Sequence, residues 1–451
     1  WLHEVLAQVV VAGSENWARH TTGADTKVIV EFVSANPTGP LHAGHGRGAC
    51  YGDSVARLYE RCGHPVEREF YINDRGTQMA FYAASLAARS AGQPVPEGGY
   101  QGQYIIDWAA EMPADADPFE WGYARALADH RAVLEDLNIN FDTWFSERSM
   151  IESGAIDATL ADLATADASF EADGATWLRS TNWGDDKDRV LVKSDGQYTY
   201  LLPDVAYHRD KFARADLLVN VWGADHHGYV PRMHAAMAAL GHQSVDLEVA
   251  ITQMVNLQRD GVEVKLSKRT GEIVELAEVV AEVGADAARF TYLLLTIDSP
   301  QTFDLELVAR QVNENPVFYV QYAHARIHSL VERAAQEGFN RLALTDADLS
   351  LLSHPRELAL LRALHELPDT VLRAANDQAP HQITTWVRDF AALFHGFYHD
   401  CRLTGEGIDP ATTVARLWLA EATRIGLVVA LDLLGVSAPQ EMWRDNPEEQ
   451  N

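Results

Sequence analysis

Two histidines spaced three residues apart provide the first chemical signal in the chain. His42 and His45 lie in residues 40–46 (PLHAGHG), on a turn between a β-branched strand and a helix. A helix N-terminus offers free backbone N–H groups and the positive end of the helix dipole, so this position suits a phosphate. Imidazole N–H groups there can hydrogen-bond a phosphate whose charge rises in a transition state, and Gly44 keeps a side chain away from a flat base. Taken alone, the two histidines also fit an ordinary helix start or half of a zinc site.

A second signal lies much later, in residues 265–271 (KLSKRTG). The chain has only six lysines, yet Lys265 and Lys268 both fall here, with Ser267 between them. Mobile ammonium groups in a loop that ends in glycine suit a polyphosphate. By itself the segment fits an ordinary basic surface loop equally well. Combined with the histidine pair, in this order along the chain, it favours a nucleotide site.

The elements around the histidines indicate an α/β fold. Residues 27–34 (KVIVEFVS) read as a buried strand, a helix is predicted from Leu41 to about Cys62, and residues 65–72 read as a second strand. This strand–turn–helix–strand unit is typical of a doubly wound, Rossmann-like sheet. Further strands are predicted at residues 190–200 (as a hairpin), 217–222, 251–257 and 262–266.

The spacing of apolar residues divides the chain into domains. We predict a helical lead-in over residues 1–26 and a Rossmann-like catalytic domain over 27–301, with a helical insertion at about 80–185. An all-α bundle follows over 302–442, and a polar tail over 443–451. The helices predicted in the bundle span residues 305–335, 349–375, 383–399 and 411–434.

Composition limits the class of protein. The three cysteines, Cys50, Cys62 and Cys401, lie too far apart for a paired zinc motif or a disulfide framework. No apolar run is long enough to span a bilayer and no leader opens the chain, so we expect a cytoplasmic protein without membrane contact. The net charge of −29 argues against a purely electrostatic nucleic-acid binder, although local potential decides binding.

Several motifs resemble one family of enzymes. His42-Ala43-Gly44-His45 resembles the HIGH signature of class I aminoacyl-tRNA synthetases, and residues 265–269 resemble their KMSKS loop. The runs that narrow the resemblance to arginyl-tRNA synthetase are residues 31–42, 71–74, 222–229 and 315–326. Family members usually carry a further N-terminal domain that contacts the tRNA elbow, and this chain starts about where that domain ends. The chain also keeps the second lysine of the loop, which many members lack.

The resemblance implies an activity and its partners. It implies ATP-dependent activation of L-arginine to arginyl-adenylate, followed by transfer to the 3′ end of tRNA(Arg). Magnesium is expected on the ATP phosphates, and the helical domain is expected to read the anticodon. Activation in this family normally requires bound tRNA. A monomer is expected.

The resemblance also assigns roles to residues. The catalytic set is His42, His45, Lys265 and Lys268, and the ATP-binding set is Gly44, Gly223, Asp225 and Ser267. The arginine-binding set is Glu31, Asn36, Tyr200, Asp204 and His226. Carboxylates suit the planar, donor-rich guanidinium group. From the residues alone, Glu31 could instead form a structural ion pair, and Asp204 could cap a helix. No metal site is expected, although Asp225, His226 and His227 together with the earlier pair His42 and His45 offer one alternative.

Three other functions compete with this hypothesis. A small-molecule nucleotidyltransferase shares the HxGH fold but does not explain the long helical C-terminal part. A non-catalytic RNA-binding paralogue would not need to keep the histidines and lysines. A metal hydrolase is the third.

Overall fold

A five-stranded parallel sheet forms the centre of the molecule, with strand order β3–β2–β1–β7–β8. The computed structural model describes residues 1–259, 261–264 and 274–442. The strands are β1 Val28–Glu31, β2 Val66–Ile72, β3 Thr143–Ser146, β4 Ser169–Ala172, β5 Ala175–Leu178, β6 Arg189–Val192, β7 Leu217–Gly223, β8 Leu247–Thr252, β9 Val255–Arg259, β10 Val262–Glu263 and β11 Gln301–Asp304.

Helices cover the sheet and build the C-terminal part. They are α1 Leu2–Asn16, α2 Ala43–Arg61, α3 Gly76–Ser90, α4 Gln103–Glu111, α5 Pro118–Asp136, α6 Glu147–Glu152, α7 Ala155–Thr165, α8 Leu201–Arg214, α9 Val230–Ala239, α10 Leu276–Val283, α11 Ala285–Tyr292, α12 Leu305–Ala309, α13 Pro316–Gln336, α14 Pro355–Asn376, α15 His381–Asp400 and α16 Pro410–Leu433. Short 3₁₀ turns lie at Ser180–Trp183, Ala224–Tyr229, Ser244–Asp246, Leu344–Asp346 and Leu349–Leu351.

The order of the strands creates a crevice beside β1. Strand β1 is buried along its whole length, as expected for a parallel strand covered on both faces. It pairs with β2 on one side and β7 on the other, with Val28 opposite Val66 and Leu217. After β1, the chain therefore adds β2 and β3 on one side of this strand and later adds β7 and β8 on the other side. Such a switch in strand order opens a binding crevice at the carboxyl ends of the strands.

The predicted helical insertion at about 80–185 is wrong in two places. Strand β3 lies within it and joins the central sheet beside β2, where Trp144 stacks on Phe70 at 4.4 Å between ring centres. Strands β4, β5 and β6 form a separate antiparallel sheet that begins within the same stretch. Four-residue strands are hard to predict between long amphipathic helices, because their side chains show too few alternations to give a pattern.

The first helix predicted in the bundle is also two helices, α12 and α13. Proline is well tolerated in the first turn of a helix, where its missing N–H would have no intrahelical partner, and here Pro316 starts α13. Asn315 caps it by accepting the N–H of Val317, and its amide donates to the carbonyls of Val308 and Arg310. The bundle then consists of α13 to α16, and α1 packs against α14 and α16.

A buried arginine joins the sheet-containing part to the bundle. Arg289 of α11 is fully buried and lies 2.6 Å from the carboxylate of Asp53 on α2. It also donates to the carbonyl of Leu434, at the end of α16, and to that of Leu137. One side chain therefore links three segments that are distant along the chain.

Two further features of the fold concern its cysteines and the apolar character of its helices. Cys50, Cys62 and Cys401 are buried and unpaired. Among the described residues, no helix has the length and apolar character needed to cross a membrane.

Candidate active site

The candidate site residues collect at the carboxyl edge of the central sheet. Glu31 is the last residue of β1, Glu147 follows β3 directly, and Gly223 ends β7. Carboxyl ends of parallel strands share one edge, so these residues face the crevice beside β1. His42 lies beyond β1, at the start of α2.

The two histidines cap α2 in a reciprocal arrangement. His42 Nδ1 accepts the N–H of Gly44, and His45 Nδ1 accepts the N–H of His42, both at 3.1 Å. The rings stack with their centres 3.7 Å apart. Because each Nδ1 acts as an acceptor, the neutral ring carries its proton on Nε2. Both histidines therefore present an N–H donor at the positive end of a helix.

Asp204 is the most perturbed carboxyl group of the crevice. It lies in the first turn of α8, and Tyr229 donates a hydrogen bond of 2.6 Å to it. Burial raises its pKa, as do the nearby carboxylates Glu31 and Glu147, and the value reaches about 7 although Tyr229 and Lys211 act against the shift. A carboxyl group with this environment is suited to a cationic ligand, which would replace the missing positive charge.

Glu31 is buried and held at both oxygens. Lys211 Nζ lies 2.7 Å from Oε2, and the Ser34 hydroxyl donates to Oε1 at 2.9 Å. Val33 and Ser34 both have positive φ angles, 67° and 42°, which only a constrained backbone imposes on such residues. The structural ion pair considered for Glu31 is thus present, at the edge of the crevice.

Two residues that sequence reasoning missed belong to the same crevice. Glu147 is buried, and burial raises its pKa although Arg75 and a hydrogen bond from Tyr71 lower it. Tyr229 holds Asp204. Tyr229 lies in one of the runs that carry the family resemblance, which could have identified it. Glu147 follows the short strand β3 that the sequence did not reveal.

Several other predicted site residues are exposed. Tyr200 is 92% exposed. Asp225 and His226 are exposed and lie 3.6 Å apart, in the 3₁₀ turn after Gly223. Asn36 is exposed and donates to Gln78. Lys265, Ser267 and Lys268 lie outside the described residues.

A metal site would need several ligand side chains close together in the part of the chain that the structure describes. There, no three histidine, cysteine or acidic side chains come together as metal ligands.

Two family models match the chain. The model of the tRNA synthetases class I (R) catalytic domain matches residues 6–97 and 122–329. The DALR anticodon binding domain matches residues 320–442. Curated arginine–tRNA ligases align over 98% of this chain and 82% of their own length, at 45% identity in Oceanobacillus iheyensis and 43% in Bacillus subtilis.

The chain belongs to the class I arginyl-tRNA synthetases.

Solved structures agree with this family. A Campylobacter jejuni structure assigned to arginyl-tRNA synthetase superposes with a TM-score of 0.88 at 34% identity, covering 98% of this chain and 99% of the other. The Thermus thermophilus arginyl-tRNA synthetase shares the fold, with a TM-score of 0.77 at 22% identity over 98% of this chain and 86% of that one. The predicted α/β fold with a C-terminal helical domain is confirmed, as is arginine–tRNA ligase activity. ATP, arginine and tRNA are accordingly the substrates of this arginyl-tRNA synthetase.

Proposed function

We propose that the crevice beside β1 is where this arginyl-tRNA synthetase forms arginyl-adenylate, with His42 and His45 on the nucleotide and the buried carboxylates on arginine. The observation that carries the proposal is Asp204, a carboxyl group with a pKa of about 7 that forms no ion pair among the described residues and is held by Tyr229 beside Glu31 and Glu147. A guanidinium ion supplies the charge that this group lacks.

The activation step needs no protein nucleophile. An arginine carboxylate oxygen attacks the α-phosphorus of ATP, and the bond to the bridging oxygen breaks so that pyrophosphate leaves. Catalysis then consists of positioning and charge stabilisation. We assign the α-phosphate region to the Nε2–H groups of His42 and His45, because their Nδ1 atoms are occupied by backbone N–H groups. Lys265 and Lys268 remain our proposal for the leaving pyrophosphate.

The rest of the nucleotide is assigned by position. Gly44 and Ser267 are proposed beside the phosphates, and Gly223 and Asp225 beside the ribose, since Gly223 ends β7 at the strand-order switch. Magnesium is proposed to arrive with ATP, as part of the substrate. In the second step a terminal ribose hydroxyl of tRNA(Arg) attacks the adenylate carbonyl, and AMP leaves.

Selection of arginine over lysine follows from the number of hydrogen-bond acceptors in the pocket. Asp204 and Glu147 offer several lone pairs, which match the donor fork of a guanidinium group. Lysine carries only three donors around a point charge, so it would leave a buried carboxylate incompletely paired. Asn36, Tyr200 and His226 remain proposed arginine contacts, and all three are exposed. Tyr200 would have to turn inward when the substrate binds.

Further properties are proposals that depend on the family. We propose that the enzyme works as a monomer in the cytoplasm, where the buried, unpaired thiols would stay reduced. We also propose a division at residues 301 and 302 between the catalytic part and the anticodon-binding part.

Pyrophosphate exchange tests the proposed site directly. With tRNA(Arg) present, exchange of labelled pyrophosphate into ATP should depend on arginine, and lysine should give none. Omitting tRNA should lower the arginine-dependent exchange, because bound tRNA is expected to order the pocket. Exchange that prefers another amino acid would refute the assignment of Asp204 and Glu147 to arginine.

A further inference from the structure

A fully buried lysine lies next to the proposed arginine pocket. The side chain of Lys211 on α8 has no accessible surface. Its ammonium lies 2.7 Å from Glu31 Oε2, 2.8 Å from Asn220 Oδ1 and 4.4 Å from the ring centre of Tyr207. Burying an ammonium group is costly even when it is paired, and this chain has only six lysines. Lys211 therefore calls for an explanation beyond packing.

Stability alone does not supply that explanation. A buried ion pair can often be replaced by apolar residues without loss of stability. Helix α8 is also fastened to β2 independently, because Arg214 contacts Glu69 and Glu67 at 2.7 and 2.6 Å. Lys211 differs from Arg214 in its acidic partner, because its ammonium contacts Glu31 at the edge of the crevice.

The contacts fix the direction of the Glu31 carboxylate. Lys211 holds one oxygen, and Ser34 holds the other from a backbone position with positive φ. The Ser34 hydroxyl is itself fixed, because it accepts the N–H of Tyr71 at 3.1 Å. Each carboxylate oxygen can accept a further hydrogen bond. Glu31 is thus oriented before any substrate binds, and it can still accept from a positively charged group.

We propose that Lys211 is a positioning residue for arginine, acting through Glu31. Its ammonium sets the orientation of the Glu31 carboxylate toward the pocket and does not itself touch the substrate. This inference rests on the proposed role of Glu31 in arginine binding.

A double-mutant cycle tests the inference. Arginine KM and kcat are measured in tRNA-dependent pyrophosphate exchange for Glu31→Gln, Lys211→Met and the double variant. Lys211→Met should raise the arginine KM about tenfold or more, with kcat changed by less than about threefold. The double variant should match Glu31→Gln within about threefold, because Lys211 acts on arginine through the Glu31 carboxylate, which Glu31→Gln has already removed.

The control lies one turn further along the same helix. Arg214→Met also removes a cation from a buried carboxylate, Glu69. It should lower the thermal unfolding midpoint and leave the arginine KM unchanged. If Arg214→Met raised the KM as much as Lys211→Met does, Lys211 would act only through the stability of α8, and the proposal would fail.

Two outcomes separate the inference from the function on which it rests. A double variant whose KM exceeds that of Glu31→Gln by more than about threefold would overturn the role of Lys211. An unchanged KM in Glu31→Gln would instead reject the assignment of Glu31 to arginine. If Lys211→Met alone does not fold, the comparison of Glu31→Gln with the double variant still decides, since the Lys211 ammonium keeps Asn220 Oδ1 as an acceptor in Glu31→Gln and the double variant buries neither charge.

Discussion

A single carboxyl group, Asp204, links the structure of the pocket to its chemistry. The carboxyl group of an isolated aspartate is fully ionised at neutral pH. Here burial raises the pKa to about 7, so the free enzyme carries this group partly protonated. In the proposed function arginine binds the ionised form, because only that form pairs with guanidinium.

Asp204→Asn should weaken arginine binding strongly. The amide keeps the shape but loses the charge that pairs with guanidinium, at a cost of about 1.5–3 kcal/mol. The arginine KM in pyrophosphate exchange should therefore rise about ten- to hundredfold. Asp210→Asn, on the same helix but paired with Arg214, should leave the KM unchanged. An unaltered KM in Asp204→Asn would remove Asp204 from the pocket.

The raised pKa also predicts a pH dependence of arginine binding. Below pH 6 most Asp204 carboxyl groups are protonated, so arginine affinity should increase as pH rises from 6 to 8, with release of a proton on binding. Glu147, whose pKa is raised too, acts in the same direction. Calorimetry in buffers of different ionisation enthalpy measures the released proton. Proton uptake on binding would contradict the assignment.

The raised pKa of Asp204 has the opposite effect on the stability of the folded protein, which falls as pH rises. The folded pKa of Asp204 lies above its ordinary value of 3.8, so the folded protein binds more protons between these two values. The contribution of Asp204 to stability is therefore largest at low pH and declines as pH rises to about 7. Ionised Asp204 is therefore unfavourable to the folded protein at neutral pH, and under the proposed function bound arginine would relieve this cost.

At the scale of elements, helix α2 determines how closely the histidines approach the sheet. Gly52 faces Phe32, and a β-carbon added there would lie 2.5 Å from Phe32 Cβ. Gly48, on the same helix, has more space, because its nearest neighbour would be Thr252 Cγ2 at 3.6 Å. Glycine at 52 therefore permits the close contact between helix and sheet.

This difference gives a matched pair of variants. Gly52→Ala should lower the thermal unfolding midpoint, with a cost of about 1–3 kcal/mol from overpacking. Gly48→Ala should leave the midpoint unchanged or raise it slightly, since alanine favours a helix by about 1 kcal/mol. Thermal denaturation of both variants measures the effect. Equal midpoints would show that α2 can shift away from the sheet.

At the scale of the whole molecule, Asp53 holds the catalytic part and the bundle together. Arg289, Arg57 and Arg68 surround its buried carboxylate at 2.6, 2.7 and 3.1 Å. Burial would raise the pKa of Asp53, but the three arginines outweigh it and lower the value to about 2. Its stabilising contribution is therefore complete above its ordinary pKa and is lost only as pH falls through about 2.

Asp53→Asn should destabilise the whole chain at neutral pH. Removing one partner of a buried ion pair costs about 3–5 kcal/mol, because the remaining charges stay buried. The unfolding midpoint should fall, and the difference from the unchanged protein should shrink as pH approaches 2. Replacing the exposed Asp432, which contacts only Arg57 among these arginines, serves as the control. A pH-independent difference would show that Asp53 is not ionised in the folded protein.

The sequence alone determined the family, the strand–helix turn that carries the two histidines, and the α/β fold with a C-terminal helical domain. Those features depend on local patterns: His42 and His45 at a strand–helix turn, the motif runs, and apolar residues at helical spacing. Local patterns can be read from the sequence, because residues that are near one another along the chain belong to the same helix, strand or turn. The short strand β3 escaped detection because four residues carry too little pattern.

Only the tertiary structure decided how the pocket is charged. Glu31 comes from β1, Glu147 from α6, and Asp204 and Lys211 from α8, and nothing in the spacing of these three elements along the chain predicts their proximity. Burial and mutual distance set the pKa of Asp204 and pair Lys211 with Glu31. Burial and distance depend on how the elements pack, so the electrostatics of the site could be obtained only from the tertiary structure.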